Sequence, residues 1–185
     1  DDGVLTRDHD RLSAVWAERA NEAGDYFAQN AARWDEIRSL YVAEAAVEAA
    51  ILEAAGPGPF RRLVDLGSGT GRMLTVLGPH AGQAVGLDLS QQMLNIARSH
   101  VAQARLERCE LRHGDIFATR LPDRSADVVV VHQVLHYLSD PGAAVKEAAR
   151  IVEPGGRMII ADFAPHKMEF LREQHQPRRL GLAEP

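Results

Sequence analysis

The chain has 185 residues, enough for one domain with a substantial core, and its hydrophobic share of 45% and charged share of 25% are those of an ordinary globular protein. Twenty-six acids against twenty-one bases leave a net charge of −5, which argues against sequence-independent nucleic-acid binding through this segment. A single cysteine, Cys109, excludes an internal disulfide and fits a reducing compartment, and no apolar run nears the ~18 residues of a membrane span.

In chain order, the charged opening Asp1-Asp2-Gly3 through Arg11 does not read as a signal peptide, so a cytoplasmic protein is expected. Asp8 to about Gln29 favours a helix with Leu12, Val15 and Trp16 on a narrow apolar side, weakened in the middle by Gly24. Tyr26 to Asp35 is unusually aromatic for this chain; it reads as a seam between two helices or as a lid over a ligand. Leu40, Val47 and Ile51 mark one face of the next helix, with Glu44 and Glu48 towards solvent, and Gly56-Pro57-Gly58-Pro59 ends it. A strand then runs from Leu63 to Leu66 into the loop Gly67-Ser68-Gly69-Thr70-Gly71, and Arg72 to Leu77 can start a helix.

Pro79 to Gly82 breaks the chain, and Gln83 to Asp88 reads as a second strand ending in a carboxylate. Ser90 can cap a helix from Gln91 to about Ala102, with Met93, Leu94, Ala97 and Val101 inward. A third strand covers about Cys109 to Arg112 and leads into His113-Gly114-Asp115-Ile116. After the turn Pro122 to Ser125, Ala126 to His132 carries four consecutive valines, as suits a strand buried on both faces. Asp140-Pro141 opens a helix with Ala144, Val145, Ala148, Ile151 and Val152 inward, and Pro154-Gly155-Gly156 ends it. Arg157 to Asp162 is the fifth strand, Pro165 to about Gln174 a last helix, and Pro177 to Pro185 reads as loosely ordered or cut short. Strands alternating with helices at this spacing predict an α/β fold with a doubly wound parallel sheet.

The glycine loop narrows the ligand. A dinucleotide site needs G-x-G-x-x-G, and Arg72 stands where its last glycine belongs; a phosphate-binding P-loop needs a Gly-Lys-Ser/Thr that is absent. Asp65, two residues before the first glycine, is a poor neighbour for phosphate and suits a ligand carrying positive charge. S-adenosylmethionine, with an ammonium, a sulfonium and a ribose diol but no phosphate, is such a ligand. Asp88 ends the second strand about twenty residues on, where a carboxylate meets a ribose diol in nucleotide-binding sheets. Asp115, after the third strand, can accept a hydrogen bond from an adenine amino group.

Leu63 to Gly71, Gly86 to Leu94, His113 to Ile116, Leu121-Pro122-Asp123 and Glu153 to Gly156 together resemble the class I S-adenosylmethionine-dependent methyltransferases, over roughly Tyr26 to Phe163. The resemblance implies a Rossmann-like methyltransferase fold, with Asp65, Gly67, Ser68, Gly69 and Gly71 around the methionine part of the cofactor. It implies Asp88 on the ribose, Leu89 and Met93 flanking adenine, and Gly114, Asp115 and Ile116 at the adenine edge. His132 and Gln133 would face the sulfonium and the acceptor, and Tyr26 and Arg33 would reach the site from an N-terminal aromatic cover. A closer resemblance, carried by Ala28 to Leu40, His132 to Leu138 and Asp162 to His166, is to fusions of a winged-helix repressor of the arsenical-resistance type with such a domain. That implies residues 1–40 as a helical linker or lid and 41–185 as the cofactor-binding domain. DNA would then be a partner only through a winged helix not contained here. The family sheet has seven strands and five can be counted, so truncation is expected, or a second copy covering the open edge in a homodimer.

Methyl transfer from a sulfonium is an in-line displacement in which alignment and exclusion of water matter most. His132, His136 and Tyr137 are the candidates for a base where the acceptor must lose a proton. His132 and His136 have helical four-residue spacing, which could suggest a metal pair, but no third ligand accompanies them, so a structural or acceptor-site role is expected and no metal. His166 and His175 read as surface residues. No Asn/Asp-Pro-Pro-Tyr/Phe motif and no Pro-Cys nucleophile is present, and one cysteine is too few for arsenite, which leaves a small-molecule acceptor. The competing expectation is a domain that senses S-adenosylmethionine or S-adenosylhomocysteine for a transcriptional regulator, without turnover.

Overall fold

The computed structural model describes residues 26, 29–35, 43–165 and 181–182. Most of the helix expected from Asp8 to Gln29, the helix after Pro165 with His166 and His175, and most of the tail from Pro177 lie outside them. Strands and helices alternate along the described residues: α1 Glu44–Ala55, β1 Phe60–Leu66, α2 Arg72–Leu77, β2 Ala81–Asp88, α3 Gln91–Gln103, β3 Cys109–His113, β4 Ala126–His132, α4 Pro141–Ile151 and β5 Val152–Ala161. Short 3-10 turns occupy Ala31–Arg33, Gly78–His80 and Leu135–Tyr137. No helix among these residues is long and apolar enough to cross a membrane.

All five strands are parallel, in the order β3-β2-β1-β4-β5. The chain winds outward in one direction from β1 through β2 to β3, then returns to the other side of β1 for β4 and β5. That reversal opens a crevice at the carboxyl ends of β1 and β4, where doubly wound sheets bind their ligands.

The pleat divides the core in two. Val64, Leu66, Val129 and Val131 pack with Ala144, Ala148 and Ile151 of α4 on one face. Leu63, Val128 and Val130 pack with Ile51, Leu74 and Val101 on the other. Side chains of β4 alternate between the faces, so the valine run is buried on both, as expected. Fully burying one such side chain stabilises the fold by about 1.5–3 kcal/mol, so the central strands form a rigid platform for the loops above them.

Local chemistry sets the ends. Ser90 Oγ accepts from Met93 N at 3.3 Å and Asp140 Oδ1 from Ala143 N at 2.9 Å, so both expected caps form. The carbonyl of Ala55, at the end of α1, accepts from the guanidinium of Arg157 at 2.7 Å. Two expectations change. Glu48 is not turned to solvent: it receives Arg72 in a two-bonded pair at 2.6 and 2.8 Å, tying α1 to the start of α2. Strand pairing of β5 begins at Val152 rather than Arg157; the register jumps from Ala126↔Val152 to Val128↔Arg157, and the residues between bulge out of the ladder.

Candidate functional site

The glycine loop is stitched to the neighbouring strand. The N–H groups of Gly67 and Ser68 both donate to Leu87 O, at 2.8 and 3.0 Å, and Gly71 N donates to Ser68 O at 2.7 Å. Two glycines are demanded by space as well as by φ. Gly67 has φ +74°, and a Cβ there would drive into the isopropyl group of Val134 from the loop after β4. Gly71, φ +83°, starts α2 with its missing Cβ 3.1 Å from Ala97 Cβ, which lets α3 pack against the loop.

Asp65 is buried, at 1% exposure, one residue from the end of β1. Asp88 closes β2 with each oxygen already oriented: Oδ2 accepts from Gly69 N and Oδ1 from Ser90 N, both at 2.8 Å. Burial pushes its carboxyl above the usual range, against the pull of those two N–H groups and of His113 nearby. His113 Nε2 in turn lies 2.9 Å from Leu89 O. Asp115 Oδ1 accepts from Phe117 N at 2.9 Å, which folds the segment after β3 so that Ile116 and Phe117 line the cleft.

One cleft gathers these elements. Asp65, Gly67, Ser68, Gly69, Asp88, Leu89, Met93, Gly114, Asp115, Ile116, His132 and Gln133 all line it. Three of the expected cofactor-binding residues do not. Gly71 is inside the loop–helix packing just described. Tyr26 is buried and meets Trp34 edge-on at 6.4 Å, and Arg33 is exposed on its 3-10 turn. Trp34 lines the cleft in their place, 3.8 Å by its Nε1 from where a Cβ on Gly69 would sit, and 6.3 Å from the ring of Tyr137. The aromatic segment is thus both a seam and a cover, but the residue over the cleft is Trp34. Asp35 fastens it, accepting from Thr70 Oγ1 at 2.7 Å.

The far wall comes from the loop after β4. Gln133 has φ +54° while its N–H donates to Ala161 O at 2.7 Å, and this left-handed residue turns the chain so that His132, Gln133 and Val134 all line the cleft. Tyr137, Leu138 and Ser139 continue the wall. Burial, with smaller contributions from Tyr26 and Asp162, lifts the Tyr137 hydroxyl far above the tyrosine range, which makes it a poor base. His136 departs from expectation. It is 3% exposed, sits outside the cleft lining, and is bonded through Nδ1 to Asp162 Oδ1 at 2.6 Å. A 3-10 turn, not an α-helix, carries it, so its four-residue spacing from His132 does not put the two on one face. Among the described residues no three metal-binding side chains cluster.

The chemistry of the donors selects a ligand. Two carboxylates flank the glycine loop, one beneath it and one bonded to it. Leu89 and Phe117 are large apolar residues left exposed at the cleft, as a flat heterocycle requires. Ser68 Oγ is buried behind the loop, beside Gly86 of β2, with no hydrogen-bond partner among the described residues. A nucleoside linked to a cationic amino-acid chain suits these carboxylates and this apolar rim; a phosphate would be repelled by the carboxylates.

Comparison with known proteins gives the class. Residues 64–160 match the family described as "Methyltransferase domain". The chain is 29% identical over 133 residues to the uncharacterized methyltransferase YcgJ of Bacillus subtilis, covering 66% of this chain and 53% of that protein. It is 33% identical over 130 residues to the "Probable S-adenosylmethionine-dependent methyltransferase" of Mycolicibacterium smegmatis, covering 67% and 48%. Among solved structures, the DhpI–SAH complex superposes with a TM-score of 0.66 at 27% identity, over 79% of this chain and 70% of that one. The chain spans about half the length of the curated relatives it matches. It belongs to the methyltransferase-domain family. S-adenosylmethionine is the family's cofactor, and the carboxylates, glycine loop and apolar rim of this cleft fit it.

Proposed function

We propose that the protein transfers the methyl group of S-adenosylmethionine to a small-molecule acceptor with substantial apolar surface. One observation carries this reading: Asp65 and Asp88 flank a glycine loop whose cleft continues, past His132, onto a wall of Trp34, Val134, Tyr137 and Leu138. The carboxylates and the loop fit the cofactor, and the uncharged wall of the same cleft would face a second molecule.

The bound cofactor supplies an electrophilic methyl on a good leaving group, so the work left to the protein is alignment and dryness. Asp65 would pair with the ammonium, and Asp88, its carboxylate oriented by the N–H groups of Gly69 and Ser90, would accept from the ribose hydroxyls. Leu89, Met93, Ile116 and Phe117 line the cleft and would hold adenine in an apolar slot. Trp34 and Tyr137 exclude water from above. His132 is the imidazole in the cleft and would take a proton from an acceptor that has one to lose. Residues 1–40 as cover and 41–185 as catalytic domain accord with the place of Trp34.

The test has two parts. Calorimetry should show binding of S-adenosylhomocysteine, and no detectable heat would remove the proposal. Methyl-labelled cofactor incubated with extract fractions should then label an organic-soluble product. A second reading, a cofactor-sensing domain within a regulator, is favoured by the shortage of bases: Tyr137 is held neutral and His136 is locked in the core. Binding without any labelled product would favour that reading.

A further inference from the structure

His136 has no part in the proposed chemistry, yet few side chains beside the cleft are held so tightly. Its partner Asp162 follows directly on β5 and accepts three hydrogen bonds. Oδ1 takes His136 Nδ1 at 2.6 Å and Phe163 N at 2.8 Å, and Oδ2 takes Leu135 N at 2.8 Å. One carboxylate therefore fastens the end of β5 to the first two residues of the turn Leu135–Tyr137. Both side chains are buried, at 4% and 5% exposure. Burial alone would push the Asp162 carboxyl up; the bonds from His136 and the two backbone N–H groups more than offset it and hold it below the usual range.

The imidazole is gripped on two sides. Its centroid lies 4.1 Å from that of Tyr137 at 42°, and 5.1 Å from that of Phe163 at 72°. Tyr137 lines the cleft and stands 6.3 Å from Trp34, the residue above Gly69. Contacts thus run unbroken from Asp162, behind the wall, to the cover in front of it. A buried hydrogen-bonded polar pair stabilises a core no better than well-packed apolar side chains; what it adds is direction, because its bonds hold only over a narrow range of angles.

We infer that Asp162 and His136 are a positioning pair that sets the turn aiming Tyr137, and through it Trp34, at the acceptor side of the cleft. Only the identity of what the wall faces rests on the methyltransferase reading; the pair's effect on Trp34 does not.

The chain has two tryptophans, so Trp16→Phe leaves Trp34 as the sole tryptophan, excited selectively over the tyrosines at the red edge. In that background, without ligand, acrylamide quenching of Trp34 is measured for the parent, His136→Phe, Asp162→Asn and Phe163→Leu. His136→Phe keeps a ring in place and loses the bond. Asp162→Asn keeps the shape and one acceptor oxygen, and serves should the first variant not fold. Both should raise the quenching constant, by roughly twofold or more for His136→Phe and less for Asp162→Asn, as expected when a hydrogen bond to a charged group is lost. Phe163→Leu trims the same region without touching the bond to the turn, and should lower the unfolding midpoint while leaving Trp34 as in the parent. The inference is overturned if the pair variants lower the midpoint but leave Trp34 quenching unchanged, or if Phe163→Leu raises it equally. S-adenosylhomocysteine added to the parent separately tests the cofactor reading: failure to bind sinks that reading and leaves the quenching result standing.

Discussion

The N–H of Gly69 donates to Asp88 Oδ2 at 2.8 Å, so the middle of the glycine loop and the carboxylate ending β2 are one bonded unit. The group that would hold the ribose is thereby positioned by the loop that would hold the methionine chain. Removing it should affect both ends of the cofactor.

Asp88→Ala should weaken S-adenosylhomocysteine binding by roughly 10- to 100-fold, the ~1.5–3 kcal/mol of hydrogen bonds to a charged group. Calorimetry reads the affinity, and circular dichroism confirms that the domain is still folded. Unchanged affinity would take Asp88 out of the ribose role.

Gly67→Ala combines a strained φ with a collision. It should cost about 2–4 kcal/mol in denaturant unfolding, part from the left-handed backbone and part from overpacking against Val134. The double variant Gly67→Ala/Val134→Ala should recover the packing part and leave about 1 kcal/mol of backbone strain. Strict additivity of the two costs would show that the side chains do not meet.

Thr70→Val removes the hydroxyl that donates to Asp35 and keeps the shape. A lost hydrogen bond of about 0.5–1.5 kcal/mol should speed release of S-adenosylhomocysteine by about 2- to 10-fold, measured by stopped-flow Trp34 emission.

Glu147 accepts from Arg150 at 2.7 and 2.8 Å and from Thr119, and these bonds, led by Arg150 and opposed by burial, bring its carboxyl down to about 2. A depressed carboxylate contributes stability that is fully present above its unfolded value of 4.5 and is lost as pH falls towards about 2. Glu147→Gln should lower the unfolding midpoint at neutral pH and flatten its fall across that window. An unchanged acid slope would assign the loss to other carboxylates, Asp162 first among them.

What could be read from the residues alone follows a physical line. Ser90, Asp140-Pro141 and Val128 to Val131 act within a few positions of themselves, through a cap, a fixed φ and a two-sided burial pattern, and each produced the expected element. Asp65, Asp88 and Asp115 reach the cleft because each stands at or near the end of a parallel strand, where the fold itself dictates the place. The rest depended on contacts distant in sequence. Trp34, rather than Tyr26 or Arg33, covers the loop because its ring also meets Tyr137. Glu48 is drawn inward by Arg72 from another helix. His136 follows a buried strand at its ligand-facing end, which leaves a structural and an acceptor-site role both open; it is drawn into the core by Asp162, a partner 26 residues away that offers no pattern of its own.

The left-handed backbone at Gln133 carries a last consequence. A β-strand shows every second residue to a given side, yet here His132, Gln133 and Val134 all face the same cleft. Three adjacent codons therefore address one surface. A short randomised cassette across them would rewrite the edge of the acceptor space while leaving the sheet intact. Its middle position should tolerate glycine, asparagine and aspartate, and reject β-branched residues whatever the acceptor.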